Sequence, residues 1–267
     1  MKYDNITVVA IYGNGEGLKA VPSINKTAEC LPGSKKLLIT DKHLPTDIPQ
    51  RLVAAPFDYA GYSKFCMYSL GKFIDTDYAL IVQHDGWALN KDNWKDKWLE
   101  YDYIGGLVHA ALVGDEFFTN FTWVGRDNPT VIQNGGFSLR SKKFMRSLVY
   151  NGIMPKMYTL SMLNNEDVQM TGFLRPALEK IGIKFAPNDE AKIFSFEHLS
   201  PMVHDDVDLT KIFGHHSRFR ELVDSNTIAW RLDNRMTKTI PMELTVYDLL
   251  SDHYGYQMIH EGGSNAT

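Results

Sequence analysis

The apolar run Tyr78-Ala79-Leu80-Ile81-Val82 gives way at once to Gln83-His84-Asp85-Gly86, and this change constrains the fold more than any other stretch. Five apolar residues without polar alternation suit a strand covered on both faces, the condition of a strand inside a parallel sheet. The three polar residues after it are costly to bury unpaired, so the strand end must meet a partner group or a ligand. Gly86 permits a sharp turn, after which Trp87 and Leu89 return to apolar character. Side chains alternate along a strand, so Gln83 and Asp85 share a face while His84 points to the other.

The segments around this strand alternate in type. "ITVVAIYG" reads as a first strand, "LKAVPSINKTAECL" as a helix with a break or start near Pro22, "KKLLIT" and "RLVAAPF" as short strands, and "YSKFCMYSLGKFI" as a helix. Further on, "YDYIGGLV" and "IQNGGFSLRS" read as strands with glycine pairs. "NEDVQMTGFLRPALEKIG" reads as a helix bent or broken at Pro176, and "KIFSFEH" as a strand. Strands separated by helices imply an α/β fold with a mixed, mainly parallel sheet flanked by helices and ligand sites at the carboxyl ends of the strands. Residues 1–224 are expected to form one catalytic domain. From Ser225 the pattern loosens, and residues 225–267 read as an extension packed on that domain, ending in a mobile tail, "GGSNAT".

A net charge of −4 provides no basic field for a nucleic-acid backbone, so nucleic acid is not an expected partner. Cys30 and Cys66 form no CxxC pair and read as free thiols of a reducing compartment. The apolar stretch from Ile6 to Tyr12 is too short to span a membrane and carries no signal-peptide cleavage pattern. The cytoplasm is therefore expected, with any membrane association made through partners. The Asn-x-Thr matches at Asn5, Asn25, Asn120 and Asn265 matter only in a secreted protein and are read as chance.

Four constellations carry candidate chemistry. An isolated Asp-Gly most often only accepts turn hydrogen bonds, but Asp85 at a strand end also suits a divalent cation whose other ligands come from phosphates. In "NGGFSLRSKKF", Asn134, Gly135 and Gly136 give backbone that a ligand can approach, with Arg140, Lys142 and Lys143 following at a helix start. A bulge beside a solvated basic face is the plainer alternative. In "NNEDVQM", Glu166 and Asp167 point about 100° apart on a helix, so one can face a cleft as general base while the other caps the helix. In "FGHHSRFR", His215 and His216 offer a metal ligand and Arg218 and Arg220 offer diphosphate contacts, unless the segment is simply a polar loop.

In this order, "LIVQHDGWAL", "YDYIGG", "NGGFSLRSKKFM", "NEDV", "AKIFSFE" and "FGHH" resemble a bacterial family, itself uncharacterised, grouped with the glycosyltransferases of the GT-A superfamily. The resemblance runs from about Tyr62 to His216. It implies a GT-A-like, Rossmann-like domain that moves a sugar from a nucleotide-sugar donor, expected to be a UDP-hexose, to a glycan or lipid-linked glycan acceptor in surface polysaccharide synthesis. It further implies donor contacts at Ile11, Tyr12, Lys64, Gln83, His84, Asp85, Asn134, Gly135, Gly136 and Arg218. Mn2+ or Mg2+ is expected on Asp85, although the usual Asp-x-Asp here reads Gln83-His84-Asp85. His216 is expected to replace the missing carboxylate as a neutral imidazole ligand. Asp167 is the expected base, with Glu166 as substitute, and Trp87 the expected acceptor platform. Two other classes compete: a non-catalytic nucleotide-sugar or glycan binding module, and a metal-dependent hydrolase built on His84, Asp85, His215 and His216.

Overall fold

The β-branched segment Ile6–Ile11 (β1) is buried at every residue because strands lie on both sides of it and side chains cover both faces. It pairs in parallel with Lys35–Thr40 (β2) and with Tyr78–Ile81 (β4), while Gln50–Leu52 (β3) extends the sheet beyond β2. The connection from β1 to β2 is made by Val21–Cys30 (α1), which has Pro22 in its first turn, where a missing N–H costs nothing. The connection to β4 is made by Tyr59–Tyr68 (α2), whose first turn is capped by Asp58 accepting from Gly61 N at 2.6 Å. The chain thus leaves β1 toward β2 and β3, then returns to its other side for β4. This Rossmann-like order places a topological switch point between the carboxyl ends of β1 and β4.

A computed structural model describes residues 2–54, 58–113, 116–119, 129–158, 161–231 and 242–260. The remaining strands of the main sheet are Gly86–Ala88 (β5), Tyr103–Val113 (β6), Glu116–Thr119 (β7), Pro129–Ser141 (β8), Ser195–Phe196 (β9) and Gly214–His216 (β10). The order is β3-β2-β1-β4-β8-β6-β9-β10-β5, with β7 on β6. Only β5, β7 and β8 run against the other strands, so the sheet is mixed and mostly parallel, flanked by helices. Val8, Ala10, Leu80 and Val82 pack on one face with Ile24, Phe137, Phe194 and Phe213, while Val9, Ile11, Ala79 and Ile81 pack on the other with Phe65 and Cys66 of α2. Ile11, expected to touch a donor, belongs to this second core.

Several boundaries differ from the sequence expectation. Lys192 to Phe194 belong to the helix Asn188–Phe194, which buries Ala191 and Phe194, so only Ser195 and Phe196 of "KIFSFEH" are extended. Pro176 opens a new helix, Arg175–Lys180, after a π-helical turn at Val168–Phe173. Of "RLVAAPF", Arg51 and Leu52 are strand, and residues 55–57 lie outside the described residues.

The Ser225 boundary falls in the turn of a hairpin made by Arg220–Leu222 (β11) and Thr227–Trp230 (β12), which is joined in parallel by Gln257–His260 (β13). Val246, Leu250 and Tyr256 from the C-terminal segment pack with Trp87, Phe196 and Leu222. Asn120, Asn265 and the expected mobile tail lie outside the described residues. Both cysteines are buried as free thiols, and no helix among the described residues is long and apolar enough to cross a membrane.

Candidate functional site

The turn after β4 is held by backbone from three directions. Gly86 N donates to Gln83 O at 3.1 Å, Leu222 N to His84 O at 3.0 Å, and Ser217 N to Asp85 O at 2.8 Å. From the end of β1, the Tyr12 hydroxyl accepts from His84 N at 2.8 Å and meets His84 Nδ1 at 2.7 Å. Tyr12 and His84 therefore brace the switch point rather than the cavity. The Asp85 carboxylate is left unused by the turn. It is 5% exposed, its Oδ1 has no hydrogen-bond partner among the described residues, and His216 Nε2 lies 3.4 Å away.

Burial opposes ionisation of Asp85, but the facing His216, with His84 behind it, holds the carboxyl down at about 2. Burial likewise opposes the imidazolium of His216, yet Asp85, with Glu197 and Asp167 further off, pushes it up to about 9. Beside the bare Asp85 carboxylate the charged imidazolium of His216 is favoured, and the neutral imidazole expected as a ligand requires a cation that displaces this proton. His216 Nε2 also meets Gln83 Oε1 at 3.1 Å, so Gln83 and His216 share the Asp85 face.

The "NGG" segment forms a wide bulge. Gly105 pairs with Ser138 and Leu107 with Gln133, leaving Asn134 to Phe137 opposite Gly106 alone. The two glycines after the Asn make room for the site's own side chains. A Cβ on Gly135 would overlap Glu166, and one on Gly136 would overlap the His216 ring. Asn134 Oδ1 accepts from Gly136 N at 2.7 Å, and its amide donates to Glu197 Oε2 at 2.8 Å.

Glu166 and Asp167 have different surroundings. Glu166 accepts from Arg140 Nη2 at 2.7 Å, and Arg140 is further fixed by Ser138 Oγ at 2.9 Å and Gly135 O at 3.2 Å. That buried ion pair engages Glu166, the expected substitute base, and fixes Arg140 against the β8 backbone. Asp167 caps the π-helical turn, accepting from Val168 N at 2.8 Å and from Gly135 N at 3.1 Å. Burial, then the charges of Glu166 and Glu197, raise its carboxyl to about 7 despite those two N–H bonds.

A cavity of about 430 Å³ at the carboxyl edge brings together Gln83, Asp85, Asn134, Gly136, Glu166, Asp167, His216 and Arg218 of the expected residues. Ile11, Tyr12, His84 and Gly135 lie behind its wall, and Lys64 lines a neighbouring groove. Trp87, expected to meet an acceptor sugar, is fully buried, donating to the Tyr256 hydroxyl at 3.0 Å. His215 is wedged against it at 4.1 Å, and burial, with the charges of Arg220 and His216, keeps it neutral by lowering its pKa well below 6.5. His84 Nδ1 lies 3.8 Å from Asp85 Oδ1, but His215 is buried against Trp87, so the four-residue hydrolase set is not assembled.

Arg220 is buried against Glu243 at 3.1 Å. Lys142 and Lys143 sit at the opposite edge of the sheet, because β8 runs antiparallel. They reach Asp75 O at 2.9 Å and Asp102 at 3.4 Å.

The sequence reading missed Glu197, Tyr59 and Tyr62, which line the same cavity. Glu197 carries the signal already used for Asp85, an apolar strand ending on a carboxylate.

For a divalent cation, the test is whether unsatisfied donors converge. Asp85 Oδ1 is orphaned and His216 Nε2 faces it. One carboxylate and one imidazole fit an ion that takes its other ligands from phosphate and water. Among the described residues no group of three or more His, Cys, Asp or Glu side chains gathers for an ion, so Asp85 and His216 are the pair these residues offer.

Fold and site together define an α/β protein with a Rossmann-like half and an acidic cavity at the carboxyl edge of its sheet. The chain belongs to the family described as Protein of unknown function (DUF5672), which it matches over residues 50–216, more than half of its length. No curated protein matches it.

Proposed function

We propose that this cavity transfers a sugar from a nucleotide-sugar donor to a hydroxyl of an acceptor, as a glycosyltransferase of GT-A type. The observation that carries the reading is the convergence, in one cavity at the carboxyl edge of the sheet, of the Asp85–His216 pair with the buried Asp167 carboxyl, whose pKa burial and the neighbouring Glu166 and Glu197 raise. Each oxygen of Asp167 accepts one backbone N–H and keeps a free lone pair. Asp167 takes the proton of the acceptor hydroxyl as that oxygen bonds to the anomeric carbon. The bond from this carbon to the diphosphate oxygen breaks, and its electron pair leaves with the nucleotide. Negative charge growing on the diphosphate meets the His216 imidazolium and the Arg218 guanidinium at the cavity wall. A divalent cation held by Asp85 and His216 would displace the His216 proton and itself supply the neutralisation of the diphosphate in its place.

A panel of nucleotide sugars, assayed for binding and for nucleotide release with and without Mn2+, tests this. At least one UDP-hexose should bind saturably and be turned over, and Asp85→Asn should abolish turnover while the fold persists. Normal turnover by Asp85→Asn would remove that residue from the mechanism. Binding with no turnover under any condition would instead fit a binding module.

A further inference from the structure

A second groove, of about 660 Å³, runs beside α2 and is walled by Tyr59, Met67, Tyr68, Met154, Pro155 and Met157. It is unusual in composition for a free surface. Tyr59, Met154 and Met157 are 68%, 75% and 63% exposed, higher than all but one of the other exposed large apolar side chains described. Its volume falls within the range typical of small-molecule sites, which are mostly apolar with a few polar groups. Its polar groups are Asp58, Ser63 and Lys64 of the α2 side, with Asn164 and Asn165. Tyr59 and Asn165 line both this groove and the acidic cavity, and Asn165 directly precedes Glu166 and Asp167. The two spaces thus adjoin at Tyr59 and Asn165, beside the point where an acceptor hydroxyl would meet the base.

We propose that the groove holds an apolar tail of the acceptor. The acceptor is then an amphiphile, its hydroxyl-bearing head in the acidic cavity and its hydrocarbon chain along Tyr59, Met154 and Met157. This rests on the transfer reading above. A wholly polar glycan would gain nothing from these walls, whereas a hydrocarbon chain leaving the cavity past Asn165 exchanges water for apolar surface. Methionine, unbranched and polarisable, adapts to a flexible chain.

The test uses the full-length protein, titrated with methyl, n-butyl and n-octyl glucoside below micellar concentrations, and separately with UDP-hexoses. Affinity should rise with tail length, by up to about fourfold for each fully buried methylene. The rise should vanish in a Met154→Glu/Met157→Glu double variant that still binds the donor. Both residues are exposed, so the variant is expected to fold. Equal affinity for methyl and octyl glucoside, or a length dependence unchanged by the double variant, overturns the proposal. A groove covered instead by a second copy of the chain would show no length dependence and a sedimentation coefficient that falls in the variant, which also overturns it. The donor titration is read independently. If no nucleotide sugar binds, the transfer reading fails, while a tail-length dependence that needs Met154 and Met157 still establishes the amphiphile site.

Discussion

Asp167 accepts two backbone N–H bonds and still ionises near 7, because burial and the charges of Glu166 and Glu197 outweigh them. As a base it is competent only when ionised, so kcat/KM for transfer should rise with pH through about 7. Asp167→Asn should lower kcat by roughly 10²–10⁴-fold with donor affinity little changed, read from steady-state kinetics beside a donor titration. The sign for stability is the reverse of that for activity. A carboxyl whose folded pKa lies above its ordinary 3.8 destabilises the fold as pH rises from about 4 to about 7. The difference in denaturation midpoint between Asp167→Asn and wild type should therefore move in the variant's favour between pH 4 and pH 8. Equal differences at both pH values would place the Asp167 pKa near its ordinary value. Asp85 was legible from the sequence because strand alternation and an abrupt polar end depend only on neighbours in the chain. The engagement of Glu166 was not, since its partner Arg140 lies 26 positions away on a strand whose direction the sequence does not state.

At the scale of elements, the β8 bulge shows what "NGG" is for. Glycine pairs in strands announce a close approach, but the sequence cannot say of what. Here the neighbours are Glu166 and the His216 ring. Gly135→Ala should overpack the Arg140–Glu166 pair and cost about 1–3 kcal/mol in chemical denaturation. Gly136→Ala should displace the His216 ring from Asp85, and the His216 pKa, followed by NMR, should fall from about 9 toward its ordinary 6.5. A His216 pKa that stays near 9 in Gly136→Ala would mean that the ring has another place beside Asp85. The helix end at Phe194 escaped the sequence reading for a related reason. "KIFSF" buries apolar residues in either conformation, and the choice is made by the aromatic cluster of Phe137, Phe194 and Phe213 rather than by local propensity.

Across the whole molecule, the C-terminal segment is tied to the cavity through a buried chain of charges. Glu243 accepts from Arg220 at 3.1 Å and faces His198 at 3.4 Å, and Arg220 donates to Glu197 O at 3.3 Å. Glu243→Ala leaves the Arg220 charge buried without its partner and should cost about 3–5 kcal/mol, measured as a shift in urea midpoint. A loss under about 1 kcal/mol would mean that water reaches Arg220. This link was invisible in a stretch whose pattern loosens after Ser225, whereas the α/β class was legible from the alternation of strands and helices over the first two hundred residues. The same long-range packing buries Trp87, through Tyr256.

If the cavity at the carboxyl edge of the sheet binds a nucleotide sugar and Asp167 drives its transfer, nucleotide release must depend on Asp167. Nucleotide release from UDP-hexoses, measured for wild type and Asp167→Asn at equal donor occupancy and at pH 8, tests it most directly. The wild type should release nucleotide, and the variant, while still binding the donor, should lose that release almost completely. Equal release by the two proteins, or no donor bound by the wild type, would contradict it.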